Sequence, residues 1–283
     1  MSSFSMPIVG RPSGNRQFST VHFDLDRLGA SRSPILLFDD FIVSGRPFGP
    51  HPHAGFSAIT YVFEDSAGSL RSRDSLGNDI RIGAGGMVWL QAGRGALHEE
   101  TPAEPEKPLH GLQFYVNLRA ANKDAPPEVF WTQGTDVPAW QDEAGSRVRV
   151  VVGQYRDVVS PLKPKEPFLF LDLVVESRII IDLEPDSYTL VYARDAVAIE
   201  ADRKMLNLKE GQLAALRSGT KLAISAGHRA RVLVLSGQMI DEPVHSYGPF
   251  VMNRPSDLNT LLERYQRGEM GFLEPVGHIS GGS

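Results

Sequence analysis

Along the first half of the chain, residues 34–43, 56–63 and 112–118 alternate apolar and polar positions or run apolar at strand length. Residues 81–92 read as a further strand pair, entered through the glycines of 83–86. Residues 103–108 and 120–127 carry too many prolines for helix and read as loops. The second half repeats this character. Residues 148–152, 168–175, 178–183, 189–193, 197–200, 212–216, 221–225 and 232–235 are short runs rich in Val, Ile and Leu. Only residues 256–267 have convincing helical spacing: Leu258, Leu261, Leu262 and Tyr265 share a face, Ser256 is placed to cap it and Gly268 to stop it. Many short strands joined by tight turns predict an all-β fold, closed or sandwiched.

Between the halves, residues 132–146 are polar, with two glycines and one proline, and read as a linker. That places one domain over 1–134 and a second over 135–283. A faint repeat relates them: Gly211 and Gly219 lie 126 residues after Gly85 and Gly93, each pair enclosing an apolar run. Two tandem β-barrels with a short C-terminal helix follow as the expected architecture.

Composition narrows the function. A chain of 283 residues with 41% hydrophobic positions can bury two cores. The net charge of −5, without a long basic run, argues against non-specific nucleic-acid binding. With no cysteine, disulfides, zinc–thiolate sites and iron–sulfur clusters are excluded, so any metal must be held by His, carboxylate or carbonyl groups. Residues 1–16 lack a signal-peptide core and no stretch nears the roughly 20 apolar residues of a membrane span. A soluble cytoplasmic protein is expected.

Three of the eight histidines fall in two short motifs, Gly-Pro-His51-Pro-His53-Ala-Gly and Gly95-Ala-Leu-His98-Glu-Glu100. On an extended strand residues i and i+2 share a face, so His51 projects with His53 and His98 with Glu100. Neighbouring strands lie about 4.8 Å apart, close enough for both pairs to meet one ion. Facing the barrel interior, they would form a set of three nitrogens and one oxygen, leaving positions open on a six-coordinate metal. Histidine with carboxylate and open positions favours Fe(II); Mn, Ni, Cu and Zn are compatible with the same ligands. Glu99, alternating with the ligands, should point away. Arg94, in the turn between Gly93 and Gly95, is expected in solvent, and His110 in a structural role.

Gly45-x5-His51-x-His53 is similar to the first half of the first cupin motif, and Gly95-x2-His98 to part of the second. HPHAGFSAITYVFE, RDSLGN, GGMVWLQAGRGALHEE, LQFYVNL and EPVHSYGPFVMN resemble the pirin family, in order and over nearly the whole chain. The resemblance implies a bicupin, two double-stranded β-helix (jelly-roll) barrels in tandem, with one metal ion, usually iron, in the N-terminal barrel alone. It assigns the same four ligands, His51, His53, His98 and Glu100. Moved by the repeat interval, these positions become Ser177, Ile179, Ile224 and Ala226, poor ligands, so the second barrel should hold no metal. The family usually reads HPHRGFET and has His before RDS; here Ala54, Ser57 and Ser72 stand instead, altering polar groups at the entrance or around the ligands. Tyr247 and Asn253, in the last block, should fix the tail against the first barrel.

Several pirins resemble quercetin 2,3-dioxygenases, which open a flavonol ring with dioxygen and release carbon monoxide. On that reading Glu100 would both ligate and take up the flavonol hydroxyl proton. Phe48, Phe56, Trp89, Leu90, Gln113 and Phe114 would line a pocket for a flat aromatic substrate. The alternative implied by the family is an iron-dependent, redox-responsive protein acting on a transcription factor or a metabolic enzyme. A third is a cupin with another metal and another small substrate.

Overall fold

The computed structural model describes residues 4–46, 48–217 and 221–275. Gly219, one member of the repeated glycine pair, lies outside them.

Within the first half, the strands are β2 (Arg11–Gly14), β3 (Phe18–His22), β4 (Ile35–Val43), β5 (His51–His53), β6 (Phe56–Val62), β7 (Leu70–Asp74), β8 (Asp79–Ile82), β9 (Met87–Gln91), β10 (Ala96–Pro102), β11 (Leu109–Asn117) and β12 (Glu128–Thr132). They form a seven-stranded sheet, β12-β9-β6-β11-β4-β3-β2, facing a four-stranded sheet, β5-β10-β7-β8. Between β11 and β12 stands a single helical turn, α1 (Ala120–Lys123), where the prolines predicted loop. Both prolines of that stretch follow the turn, so they end it without interrupting it.

The second half repeats the plan. Its strands are β13 (Ala139–Gln141), β14 (Arg147–Val152), β17 (Phe168–Val175), β18 (Ile179–Asp182), β19 (Ser187–Ala193), β20 (Val197–Ala201), β21 (Lys204–Leu208), β22 (Gln212–Arg217), β23 (Lys221–Ser225) and β24 (Ala230–Gln238), with a small hairpin, β15 (Gln154–Tyr155) and β16 (Val158–Val159), inserted. With β1 (Ile8–Val9) at its edge, the large sheet runs β1-β22-β19-β24-β17-β14-β13, and the small one runs β18-β23-β20-β21. Its first strand, β1, comes from the N-terminus and takes the place that β12 has in the first barrel. The segment read as a linker contributes β13, which pairs with β14. The all-β architecture of two cupin barrels is as expected.

The two large sheets pack on each other. Ile59, Tyr61, Met87, Trp89, Leu112 and Phe114 of the first meet Phe168, Phe170, Leu190, Leu233 and Leu235 of the second in one buried core. Consequently β6 and β9 are buried on both faces and lose the apolar–polar alternation of a half-exposed strand. Beyond the second barrel the chain returns to the first as a hairpin, β25 (His245–Tyr247) and β26 (Phe250–Met252), followed by α2 (Pro255–Gln266). Ser256 does not cap α2: Pro255 already sits in the first turn and the Ser256 hydroxyl bonds Asp257. Leu258 and Leu261 of α2 pack with Ala54, Phe250 and Met270.

Candidate metal centre

Strand β10 lies antiparallel to β5, with His98 opposite His51 and Ala96 opposite His53. Because β5 and β10 are hydrogen-bonded neighbours, strand parity brings His51, His53 and His98 together, and Glu100 is not part of that group. The ligand nitrogens of His51, His53 and His98 all lie within 4.8 Å of one another, and His51 Nε2 is 3.1 Å from His98 Nε2. The described residues hold no other such group of three.

His53 and His98 are buried and His51 is half-buried. Neither nitrogen of His53, nor Nδ1 of His98, has a hydrogen-bond partner among the described residues. Burial pushes His53 down to about 3, helped by nearby His51. It holds His98 well below the usual range, with His53 and His51 adding to the effect. Both rings are therefore neutral and carry a lone pair. Orphaned imidazole nitrogens in a dry site are costly unless something fills them. His51 Nδ1 is 2.9 Å from the Gly49 carbonyl; donating there leaves Nε2 free to ligate. The donor set thus fits a transition metal.

Glu100 is 14% exposed, with Oε1 4.0 Å from His98 Nδ1. Its Oε2 accepts from Thr60 Oγ1 at 2.5 Å and its Oε1 weakly from Ser72 at 3.5 Å. Burial pushes its carboxyl up to about 7, against those two hydrogen bonds. Glu99 points away and pairs with Arg73 at 2.9 Å. His110 is bound to Asp40 at 2.7 Å, and Arg94 is exposed.

A cavity of about 360 Å³ opens beside the histidines, lined by Phe18, Phe41, Val43, Phe48, His51, His53, Leu70, Glu100, Leu109, Gln113, Tyr115, Gly248 and Pro249. Of the expected pocket residues, Phe48 and Gln113 are there. Phe56 packs behind, against His53 and Tyr115, with ring centroids 5.1 and 4.6 Å away. Leu90 packs with Ala92 and Ala96. Trp89 and Phe114 face the other way, onto Phe168 of the second barrel. Each is adjacent in sequence to a residue on the opposite face, and since both faces are buried, hydrophobicity could not separate them. Tyr115 was missed, though it shares its face with Gln113 two residues earlier. Thr60 gives no local signal at all.

The three unusual residues separate. Ser72 touches Glu100. Ala54, fully buried, forms a bridge to Phe250 of the returning hairpin. Ser57 lies opposite Gln91 on the face shared with Ile59 and Tyr61, away from the site. Tyr247 is largely exposed, and Phe250 fixes the tail in its place. Asn253 bonds Glu242 and the Pro243 carbonyl, bracing the tail itself. In the second barrel Ile179 and Ile224 are direct cross-strand partners in the apolar core. No helix among the described residues is long and apolar enough to cross a membrane.

Residues 11–116 match the pirin family model and residues 171–271 that of the pirin C-terminal cupin domain. Pirin of Homo sapiens is 31% identical over 250 residues, covering 84% of this chain and 83% of that protein. Pirin-like protein 2 of Arabidopsis thaliana is 30% identical over 291 residues, 96% of this chain and 89% of that one. The crystal structure of quercetin 2,3-dioxygenase from Acinetobacter baumannii superposes with a TM-score of 0.82 at 28% identity, covering 97% of this chain and all of that one. Two cupin barrels, a histidine cluster able to hold a metal in the first and matches in both halves place this chain in the pirin family.

Proposed function

We propose that the protein is a non-haem iron dioxygenase of quercetin 2,3-dioxygenase type, with His51, His53, His98 and Glu100 as the ligands of a single ion. The observation that carries this reading is a three-histidine cluster whose His51 and His53 open, with the Glu100 carboxylate, onto a largely apolar cavity of about 360 Å³. That is the scale of a small flat aromatic. The likeness to the Acinetobacter quercetin 2,3-dioxygenase supports the substrate class.

Iron bound here would supply Lewis acidity toward the substrate hydroxyl and redox access to dioxygen. The chain supplies the rest. Phe18, Phe41, Val43, Leu70 and Leu109 exclude water and hold the rings of a flavonol. Thr60 anchors Glu100 Oε2, which leaves Oε1 the freer atom to ligate or to accept the flavonol 3-hydroxyl proton. A carboxyl raised to about 7 before metal binding is well matched to that phenol. In the second barrel, Ile179 and Ile224 stand where ligands would be needed, so one ion per chain is expected.

The test is loss of the quercetin absorbance band in air by iron-loaded protein, abolished in His53→Ala and Glu100→Ala. Unchanged quercetin would remove the reading. A partner whose affinity differs between Fe(II) and Fe(III) protein would then favour the regulatory alternative.

A further inference from the structure

The cavity contains few groups able to hydrogen-bond a ligand. The histidines belong to the proposed ion, and Glu100 is held by Thr60 and Ser72. Two polar heads remain on β11, Gln113 and Tyr115, and neither side chain has a hydrogen-bond partner among the described residues. They differ in how firmly they are placed. The Tyr115 ring is stacked at a tilt on Phe56, 4.6 Å between centroids, and meets His53 edge-on at 5.5 Å. A tyrosine has two side-chain torsions, and the contacts with Phe56 and His53 restrict them. The ring is thereby placed directly beside the histidine cluster.

A polyphenol entering this cavity loses the water on its oxygens, and each needs a partner from the protein. We propose that Tyr115 is a substrate-binding residue whose hydroxyl donates to the ring carbonyl of a flavonol held at the histidine centre through its adjacent hydroxyl. This rests on the dioxygenase reading and deepens it: the site would select phenols with a carbonyl beside the coordinating oxygen over simple catechols. Tyr115 itself ligates nothing, so metal loading should not depend on it.

The experiment compares wild type with Tyr115→Phe, both loaded with iron(II) and kept under nitrogen. Each is titrated with quercetin and with 4-nitrocatechol, which has no ring carbonyl, following the absorbance of the bound phenol. The variant should bind quercetin about tenfold more weakly, the scale of one lost hydrogen bond in a dry site. Its affinity for 4-nitrocatechol, its iron content and its thermal midpoint should be unchanged. Equal quercetin affinity, or equal weakening toward both probes, overturns the proposal. So does loss of iron or of the folded state, which would make the hydroxyl structural. A wild type that binds no quercetin overturns the dioxygenase reading as well, whereas wild type and variant binding it alike overturn this inference alone.

Discussion

Lys123 Nζ donates to the Gly55 carbonyl at 2.6 Å, and Gly55 lies two residues after His53. The same ammonium reaches Asn117 Oδ1 at 2.6 Å and the Val251 carbonyl at 3.2 Å. One buried lysine therefore ties the strand that carries His53 to the returning C-terminal hairpin, whose Gly248 and Pro249 wall the cavity. Replacing it with Met should cost about 2–4 kcal/mol, since three buried acceptors lose their donor. Denaturant titration measures this; a change within error would show that the hairpin does not rely on the clamp.

Burial pushes Lys123 down to about 8 from its ordinary 10.5. Between those values the unfolded chain binds the proton and the folded chain does not. Stability from this group therefore rises with pH across about 8 to 10.5, and below 8 the cost of the buried charge is fully present. The wild type should gain on Lys123→Met by at most about 3 kcal/mol across that window. A constant or shrinking difference would contradict the assignment.

Gly55 has φ +83°, and a Cβ there would stand 1.8 Å from the Val251 carbonyl oxygen. Backbone cannot yield at that distance as a flexible side chain could. Gly55→Ala should therefore unseat the hairpin at a cost of about 3 kcal/mol. New protease cleavage within residues 241–275 would report it. An unchanged digestion pattern would argue that the contact is dispensable.

Phe114 is fully buried against Phe168 and Phe170 of the second barrel. Phe114→Ala should cost about 3–5 kcal/mol by opening a void between the barrels. Quercetin affinity of the remaining folded protein should not change, because the side chain faces away from the cavity. If affinity falls while stability holds, the assignment of the two sheet faces is wrong.

Protein purified without added metal should contain one transition-metal ion per chain, and none in His53→Ala or His98→Ala. Removing the ion with a chelator should lower the thermal midpoint, and returning it should restore the original value, because the ion binds the folded state. Glu100→Gln preserves the shape of the side chain but not its charge. It should slow flavonol turnover by about 10²–10⁴-fold, the usual scale for loss of a general base. Two ions per chain would require a second site that Ile179 and Ile224 do not provide.

The sequence alone determined the all-β class, the tandem arrangement and the grouping of His51, His53 and His98, with Glu99 turned away. Those features rest on local quantities: strand length, turn residues, and the two-residue period that puts alternate side chains on one face. What it could not determine was which face of a doubly buried strand is which. Phe114 and Gln113, or Trp89 and its neighbours, are equally consistent with cavity or core until the second sheet is in place. The tertiary structure also brought in partners remote along the chain. Thr60 reaches Glu100 across 40 residues, and Lys123 reaches back 68 residues to Gly55 and forward 128 to Val251. Such contacts are set by how sheets stack and where the chain returns, and no local pattern encodes that geometry.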